Sequence, residues 1–420
     1  MAILKILQFN CGGCYSSMCD FGQTLCENGN VALLQEPFTV DNGLRGLPLG
    51  MRSYVNKNGD SAIVINDSSL DCILMESLTN EFGICMQIKG SFGVIVLVSI
   101  YCKFGEPIEP YIEYIDAVRH QVHSLPCIIG MDANASSLMW HSKLNRHSAG
   151  YQSHHRGELL SEYFNTCGII VLNEPSVYHT FDGPYGRSDI DITIANSAAM
   201  KYNYSWKVQP TWSTSDHNVI EISMTHHGLE AENTSLFAWH TKNVNWSQYS
   251  ERIKMEAQQV SHTVFDALPI DIQISLIEKW IYQVNDDFLK KVKLTKLSKV
   301  KWWNAECRIK RSQMRRSKQK LYRSLRRNDT DIPLRIQNFK DARYDYKQFI
   351  IKVKENEWRD FVKDSSENNP WSHAYKICRG KKKTCCISEL KKGDTFIPGW
   401  GECAAKLLDS FLPEDNGDDK

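Results

Sequence analysis

Apolar runs of strand length recur through the first half of the chain. They are rich in Val, Ile and Leu and are separated by stretches with Gly, Pro, Asn or Asp, which is typical of β-strands in a folded core. The predicted strands are 3–9, 31–35, 62–66, 93–101, 126–130, 169–172, 190–195 and 218–224. Two segments between them, 108–123 and 155–167, have apolar residues at helical spacing. Strands interrupted irregularly by helices and long loops indicate two packed sheets rather than regular βαβ winding.

The pattern changes after residues 226–235, "HHGLEAENTS". From this point the sequence is highly charged, and its apolar residues recur at helical spacing. The predicted helices lie near 246–263, 272–292, 304–327 and 334–362. We therefore expect an α/β fold, a two-sheet sandwich flanked by helices, followed by a mostly helical basic extension. The predicted domains are the sandwich at 1–226, a linker with helices at 227–300 and a basic helical segment at 301–420.

The net charge of +1 conceals a change of sign along the chain. Residues 1–226 contain 13 Lys and Arg against 22 Asp and Glu, whereas residues 227–420 contain 37 against 27. The segment 290–327 has 16 basic side chains and a single acid, Glu306. Three aromatic side chains are interleaved with these cations, Trp302, Trp303 and Tyr322. A run of cations is often a solvated helix face, but this combination favours contact with DNA or RNA.

The fourteen cysteines do not indicate disulfides. The N-terminal sequence "MAILKILQFNCGG" lacks the long apolar core of a secretory signal, so reduced thiols are expected. The cysteines also lack the paired spacing of a zinc ribbon. No apolar segment reaches the length of a membrane span. We therefore expect an intracellular protein with no membrane partner.

The stretch "IIGMDANASSLMW", residues 128–140, places two polar side chains directly after an apolar strand. Asp132 and Asn134 are separated by one alanine. Alternate side chains of extended backbone point in the same direction, so a carboxylate and an amide can converge on one water molecule or phosphate oxygen. The spacing predicts a polar site at the end of this strand.

Polar residues also occupy the ends of other predicted strands. They are Asn10 in "ILKILQFN", Glu36 in "VALLQE", Tyr101 in "VIVLVSIY", and Asp216 and His217 in "STSDHNVIEIS". In "RSDIDITIA", period-two alternation places the isoleucines on one face and Asp189 and Asp191 on the other. Singly, each residue fits an ordinary role in a turn or a core. Their recurrence at the same structural place predicts one shared site.

Six short motifs in this order resemble the endonuclease/exonuclease/phosphatase superfamily, which has the deoxyribonuclease I-like fold and includes the abasic-site repair endonucleases. The motifs are "QFN", "LLQEP", "SIY", "GMDANA", "SDID" and "TSDHN", and they cover residues 3–226. The order of all six carries the resemblance. The fold that it implies agrees with the two-sheet sandwich.

The resemblance implies a role for each motif residue. Glu36 would bind a divalent cation, Mg²⁺ or alternatively Mn²⁺. Asn10 and Asp216 would help to hold that cation, directly or through water. Asp132 would orient or deprotonate the attacking water, with Asn134 beside it.

The same resemblance implies how the phosphate would be contacted. Asp191 would pair with His217, so that the other imidazole nitrogen faces the phosphate. Asp189 stays open as the alternative partner, because both acids lie in the same motif. Tyr101 would hydrogen-bond the phosphate or the leaving oxygen. The implied reaction is metal-assisted hydrolysis of a phosphodiester.

The remaining sequence narrows the resemblance. "MWHSKLNRHSAGYQSHHRGELLSEYF", residues 139–164, resembles the endonuclease of insect-type, target-specific non-LTR retrotransposons. "KWWNAEC", "WRDFV" and "NPWSHAYKI" resemble the segment that joins this endonuclease to a reverse transcriptase. "AAKLLDSFLPED" resembles the approach to the polymerase, but these residues contain no Tyr-x-Asp-Asp motif. The candidate DNA contacts are Arg146, Arg156 and Arg187.

The resemblance implies that the protein nicks one strand of chromosomal DNA and leaves a 3′-hydroxyl that primes reverse transcription. Its partners would be double-stranded DNA, element RNA through the basic segment, and a reverse transcriptase domain in a longer parent protein. It would be synthesised in the cytoplasm and act in the nucleus. Two alternatives stay open: a catalytically silent, retrotransposon-derived nucleic-acid-binding protein, and a phosphatase or phosphodiesterase on the same scaffold.

Overall fold

The computed structural model describes residues 3–41, 43–48, 50–142, 149–183, 186–226, 237–241, 244–293, 302–368, 391–392 and 395–396. The helices are α1 (Tyr15–Asn28), α2 (Glu109–Gln121), α3 (Ala149–Cys167), α4 (Trp246–Ala257), α5 (His262–Asp266), α6 (Ile270–Phe288), α7 (Ala305–Arg327) and α8 (Ile332–Asn368). The first ten strands are β1 (Ile3–Asn10), β2 (Val31–Gln35), β3 (Thr39–Val40), β4 (Gly43–Leu44), β5 (Arg52–Val55), β6 (Ser61–Ile65), β7 (Asp71–Leu74), β8 (Gly83–Gly90), β9 (Gly93–Tyr101) and β10 (Cys127–Asp132). The others are β11 (Ile170–Val171), β12 (Phe181–Gly183), β13 (Gly186–Ser188), β14 (Asp191–Ala195), β15 (Tyr202–Gln209), β16 (Val219–His226), β17 (Phe237–His240), β18 (Lys290–Lys293), β19 (Lys391–Lys392) and β20 (Thr395–Phe396).

Two six-stranded sheets form the first part of the chain. Their strand orders are β15-β16-β1-β2-β6-β5 and β11-β14-β10-β9-β8-β7. The pairs β1–β2 and β9–β10 are parallel, and the other pairs in both sheets are antiparallel. Apolar side chains of both sheets, such as Ile6, Leu33 and Leu97, form one buried cluster. This arrangement confirms the predicted two-sheet sandwich.

The eight apolar runs all became strands, but the pattern missed several others. β5, β7, β8 and β15 were not predicted, and neither was α1. β5, β7 and β15 lie at sheet edges, where one side of the strand has no neighbour and the sequence is mixed. An edge strand needs fewer apolar residues, so its periodic signal is weaker.

Two buried glutamines join the sheets behind the polar strand ends. Gln8 of β1 donates from Nε2 to the carbonyls of Met131 and Ile192 at 3.1 and 3.2 Å. Gln35 of β2 donates to the carbonyl of Gly130 at 3.2 Å. A Cβ atom at Gly130 would lie 2.8 Å from Oε1 of Gln8, so only glycine allows this approach. Because a buried carbonyl without a donor is costly, these bonds hold β1 and β2 against β10 and β14.

Helices cover the outer faces of the sandwich. α1 packs on the first sheet, where Phe21 stacks on Phe9 at a centroid distance of 4.8 Å. α2 and α3 pack on the second sheet through residues that include Ile115 and Phe164. Each helix therefore buries its apolar stripe against one sheet.

Helices α7 and α8, called the helix pair below, pack against α1. Cys19 of α1 lies in one buried cluster with residues of both helices. Arg311 of α7 pairs with the buried carboxylate of Asp20 at 2.9 Å, and the Tyr346 hydroxyl of α8 donates to the same carboxylate at 2.7 Å. The basic helical segment and the sandwich thus share one compact unit, Met1–Glu230 with Lys299–Lys420.

Residues Ala231–Ser298 form a second unit. Within it β17 pairs with β18, and α4 contacts α6 through a hydrogen bond from the Tyr249 hydroxyl to Asn285 at 2.8 Å. Among the described residues of the whole chain, no helix has both the length and the apolar character needed to cross a membrane.

Candidate active site

The polar strand ends meet at one edge of the sandwich. β1 and β2 are parallel, so Asn10 and Glu36 reach the same edge. β9 and β10 are also parallel, and Tyr101 lies directly beside Asp132. β14 begins at Asp191, which is the antiparallel partner of Asp132. Strand register alone therefore groups five of the predicted residues.

Asn10 links two carboxylates of the site. Its Nδ2 donates to Glu36 Oε2 at 2.9 Å and to Asp132 Oδ2 at 2.7 Å. Its Oδ1 accepts the backbone N–H of Gly12 at 2.8 Å, and the residue is 1% exposed. As placed, Asn10 orients both carboxylates through its nitrogen, while its oxygen is already bonded within the chain.

His217 reaches this group from the segment that precedes β16. Its Nδ1 donates to Asp191 at 2.9 Å, and its Nε2 lies 3.9 Å from Asp132 Oδ2. The second distance is too long for a direct hydrogen bond.

The structure decides which acid pairs with the histidine. Asp191 is 2% exposed and bonds His217, whereas Asp189 bonds His179 Nδ1 at 2.7 Å. Asp189 also accepts the backbone N–H of Thr180 at 3.0 Å. Asp189 therefore orders the loop beside the site, and Asp191 is the partner within it.

Burial sets the charges of this cluster. Burial, followed by the charge of the neighbouring Asp191, raises the pKa of Asp132 to about 7. Burial alone would lower the pKa of His217, but Asp191, Asp132 and Glu36 together raise it to about 9. The imidazole is therefore a cation near neutral pH and stands against three carboxyl groups.

Tyr101 borders the same carboxylates. It is half-buried, and its hydroxyl hydrogen-bonds Glu36. Burial, followed by the charge of Glu36, raises its pKa well above the usual value for tyrosine. The phenol therefore keeps its proton and acts as a hydrogen-bond donor.

Asn134 is arranged differently from the expected extended spacing. β10 ends at Asp132, and Asn134 has a left-handed φ of +47°. Its backbone N–H donates to Asp132 Oδ1 at 3.1 Å, while its side-chain amide donates to the carbonyl of Cys102 at 3.1 Å. Asn134 thus supports the Asp132 carboxylate through its main chain, because the strand stops before the alternation can continue.

Glu36 is the second site residue with a positive φ, +43°. A non-glycine residue in this region is uncommon and costs on the order of 1–3 kcal/mol. The turn after β2 directs the half-buried Glu36 carboxylate towards Asn10. Such strain is typical of functional sites.

Asp216 lies at the border of the site rather than in its buried centre. Its side chain is 35% exposed and forms an ion pair with Arg343 of α8. Its carbonyl accepts the backbone N–H of Asp182 at 2.8 Å, which joins the segment to β12. Its predicted role as a metal ligand stays a prediction.

The residues present fit a divalent cation. Within the described residues, one group of possible ligands has all its ligand atoms within 4.8 Å of one another, Asp132, Asp191 and His217. Since His217 Nδ1 is bonded to Asp191, the free donors nearby are mostly carboxylate oxygens, including Glu36. Buried carboxylates in excess of one imidazolium favour a hard cation such as Mg²⁺ or Mn²⁺ over zinc.

The three predicted DNA contacts have different positions. Arg146 lies outside the described residues. Arg156 is 3% exposed, and its guanidinium donates to the backbone carbonyls of Cys102 and Ala133 at 3.3 and 3.0 Å. This interior position does not suit a DNA contact, because the donors already satisfy the loops that follow β9 and β10. Arg187 is exposed on β13 and pairs with Asp182.

Sequence reasoning missed the residues of the helix pair that touch the site. Lys318 of α7 is 2% exposed, and its Nζ donates to Asn218 Oδ1 at 2.8 Å, next to His217. Arg343 of α8 contacts Asp216 on the other side of the histidine. The helical spacing of apolar residues in α7 predicts a buried face, but it does not show which surface that face packs against.

Comparison with known proteins agrees with this geometry. Residues 95–221 match the family described as "Endonuclease-reverse transcriptase". The chain is 34% identical to the Pol polyprotein from type-1 retrotransposable element R1 of Bradysia coprophila over 378 residues, which are 88% of this chain and 38% of the relative. It is 35% identical to a putative 115 kDa protein in element R1DM of Drosophila melanogaster over 418 residues, 98% of this chain and 40% of the relative.

Among solved structures, the endonuclease domain of TRAS1, a telomere-specific non-LTR retrotransposon, is 27% identical with a TM-score of 0.48. It covers 54% of this chain and 100% of that domain. The chain spans about two fifths of the length of the two R1 relatives. The family match spans the strands that bear Tyr101, Asp132 and Asp191, and both relatives align along most of the chain. Residues 95–221 are therefore similar to the endonuclease–reverse transcriptase family, and most of the chain is similar to part of the proteins of R1 retrotransposable elements.

Proposed function

We propose that this protein is a metal-dependent DNA endonuclease that nicks one strand of duplex DNA and leaves a 3′-hydroxyl for target-primed reverse transcription. The observation that carries the proposal is one cluster of polar side chains: Asp191 bonds His217, His217 Nε2 lies 3.9 Å from Asp132, and Asn10 bonds both Asp132 and Glu36. A protonated imidazole beside a carboxylate suits the hydrolysis of a phosphodiester.

In the proposed reaction, a water oxygen attacks phosphorus in line with the 3′ oxygen. Asp132 orients the water and takes its proton, which requires the carboxylate form. His217, held by Asp191, donates from Nε2 to a phosphate oxygen and stabilises its growing negative charge. The bond from phosphorus to the 3′ oxygen breaks, and that oxygen takes a proton to become the 3′-hydroxyl, with a 5′-phosphate left on the other end.

Glu36, Asp132 and Asp216 are the residues proposed to hold the cation, with Asn10 orienting the first two. A bound divalent cation supplies Lewis-acid stabilisation of charge on the reacting oxygens. Tyr101, which keeps its proton, donates a hydrogen bond to the phosphate or the leaving oxygen. Arg187, on the exposed hairpin of β12 and β13, is proposed as a contact to the DNA backbone.

The test is nicking of supercoiled plasmid by the purified full chain. We expect conversion to open circles with Mg²⁺ and its loss on chelation. Asp132→Ala and His217→Ala should each lower the nicking rate by about 10²–10³-fold, the usual loss for one positioned group. Asp71→Ala and His123→Ala, at exposed positions, are the matched controls and should leave the rate unchanged.

Two outcomes contradict the proposal. Nicking that persists in both site variants would remove the mechanism, and nicks that DNA polymerase cannot extend would remove the 3′-hydroxyl primer. Salt-sensitive binding without any cleavage would favour the silent nucleic-acid-binding protein. Release of phosphate from small phosphate esters instead of nicking would favour a phosphatase.

The remaining partners are part of the same proposal. The R1 relative from Bradysia coprophila is named as a Pol polyprotein, so we propose a reverse transcriptase in a longer parent protein and action in the nucleus. We also propose that the basic helices contact the RNA of the retrotransposon. We expect retrotransposon RNA to co-purify with the full chain from nuclei and to dissociate at high salt, which tests this contact.

A further inference from the structure

The helix pair is attached to both sides of the catalytic histidine. Lys318 bonds Asn218, and Arg343 pairs with Asp216. The backbone N–H of Asp182 donates to the Asp216 carbonyl, and Phe181 forms an isolated β-bridge with His217. The β12–β13 hairpin is therefore bonded to the segment that contains Asp216 and His217. The helix pair, the hairpin and the histidine segment therefore meet at one place.

A cleft of about 230 Å³ lies where they meet. One wall is the hairpin, with Gly183, Gly186 and Arg187, and the opposite wall includes Lys340 and Arg343 of α8. Asp216, the residue before His217, also lines the cleft. A Cβ atom at Gly186 would have no heavy atom within 4 Å, so the hairpin wall is open there, whereas Gly183 packs against the Phe181 ring.

The charges of the cleft suit an anion. Arg187 is paired with Asp182, and Arg343 with Asp216, each through one nitrogen. A guanidinium carries five N–H donors, so each arginine retains donors after its ion pair. Lys340 is exposed, and among the described residues it has no acidic partner within ion-pair distance. Three cations against two acids leave the cleft positive.

We infer that this cleft binds the phosphate backbone of duplex DNA beside the cut, with Lys340 and Arg343 as the contacts from α8. The inference rests on the proposed function, since it places a DNA strand at His217. Asp216 belongs to both the cleft and the histidine segment, so the strand that enters the cleft continues from the strand at the active site. Guanidinium and ammonium groups are the usual ligands of phosphate backbones, and they position DNA without reading its sequence.

The helix pair is thereby part of the DNA-binding surface of the nuclease. Two cations of α7, Arg311 and Lys318, are buried against the sandwich and do not make this contact. The cations that matter here lie on α8, outside the segment whose charge is most conspicuous in the sequence.

The test measures binding of the full chain to fluorescent duplexes in EDTA, so that cleavage does not interfere. The variant is Lys340→Gln, which leaves the Arg343–Asp216 pair intact. We expect the slope of log affinity against log salt to become shallower by about 1, with weaker binding to duplexes of any sequence. Adding Arg343→Gln should lower the slope by about 1 more.

The matched control is Lys352→Gln, which removes an equally exposed lysine from the same helix. It lies twelve residues from Lys340, or about 18 Å along α8, and does not line the cleft. Its slope should equal that of the unchanged protein. An unchanged slope for Lys340→Gln overturns the inference, as does a loss confined to RNA of the same length.

The binding arm separates this inference from the proposed nuclease function. If the unchanged protein does not nick plasmid but Lys340→Gln still lowers the DNA slope, the cleft stands and the nuclease proposal fails. If the unchanged protein nicks and Lys340→Gln binds normally, the nuclease stands and the cleft is overturned.

Discussion

Each polar residue of the site owes its chemistry to its neighbours more than to its type. Asp132 and Asp191 face each other across two strands, yet Asp132 is bonded to Asn10 and Asp191 to His217. The bond to Asp191 fixes the imidazole so that Nε2 faces Asp132. Two carboxylates thus have two different tasks, set by environment alone.

Exchange of Asp191 for Asn tests this division at the level of one atom. The amide no longer stabilises the imidazolium, so the pKa of His217 falls and its orientation loosens. We expect the nicking rate to drop by about 10–100-fold or more. Plasmid nicking measures the rate, and NMR titration of His217 measures the pKa.

Asp189→Asn is the control, because Asp189 bonds His179 and Thr180 instead. It should change nicking only a few-fold and leave the pKa of His217 in place. A larger loss in Asp189→Asn than in Asp191→Asn would reverse the assignment.

At the scale of elements, strand register and two parallel pairs bring the site together. The strand pattern identified where β1, β2, β9 and β10 end, and polar residues at those ends were the signal for a site. Gln8 and Gln35, which join the sheets, are polar residues within apolar strands of the sequence. Their acceptors, however, are backbone carbonyls. Every residue has a backbone carbonyl, so the sequence does not show which carbonyls accept these hydrogen bonds.

The attachment of the helix pair can be tested through Arg311. Its guanidinium is buried and pairs with Asp20 and Glu27, so Arg311→Met leaves the Asp20 carboxylate buried without its cation. We expect docking of the helix pair to weaken by about 3–5 kcal/mol. Hydrogen exchange of the α7 and α8 amides should accelerate accordingly.

Arg308→Met, at an exposed position of the same helix, is the matched change. Exposed substitutions usually stay within about 0.5 kcal/mol, so its exchange should match that of the unchanged protein. Equal protection in both variants would show that the buried ion pair does not hold the helices.

At the scale of the whole molecule, not all cations of the basic half are exposed to solvent. Lys318 is enclosed between α7 and the sandwich, and burial lowers its pKa to about 8 from 10.5. The protonated form is therefore disfavoured in the folded state. Below about pH 8 both states carry the proton and the cost is fully present, whereas between about 8 and 10.5 the unfolded chain binds more protons.

The free energy of unfolding should consequently rise with pH in that window by at most about 3 kcal/mol from this residue. Lys318→Met removes this pH-dependent rise in the free energy of unfolding. The stability of the variant relative to the unchanged protein should therefore be greatest near pH 7 and should fall by pH 10. Urea unfolding at both pH values measures the difference. Lys320→Met, at an exposed position on α7, should show no such change.

The sequence by itself predicted the sandwich, the helical extension and the polar residues that cluster in the structure: Asn10, Glu36, Tyr101, Asp132, Asp191 and His217. Strand periodicity and motif order are local properties, and they survive without any knowledge of contacts. Only the tertiary structure decided that Asp191 rather than Asp189 holds the histidine and that Arg156 is interior. The docking of the helix pair beside Asp216 was equally invisible, because it joins residues more than one hundred positions apart. Such pairings depend on which surfaces meet after folding, and hydrophobic spacing records that a face is buried but not against what.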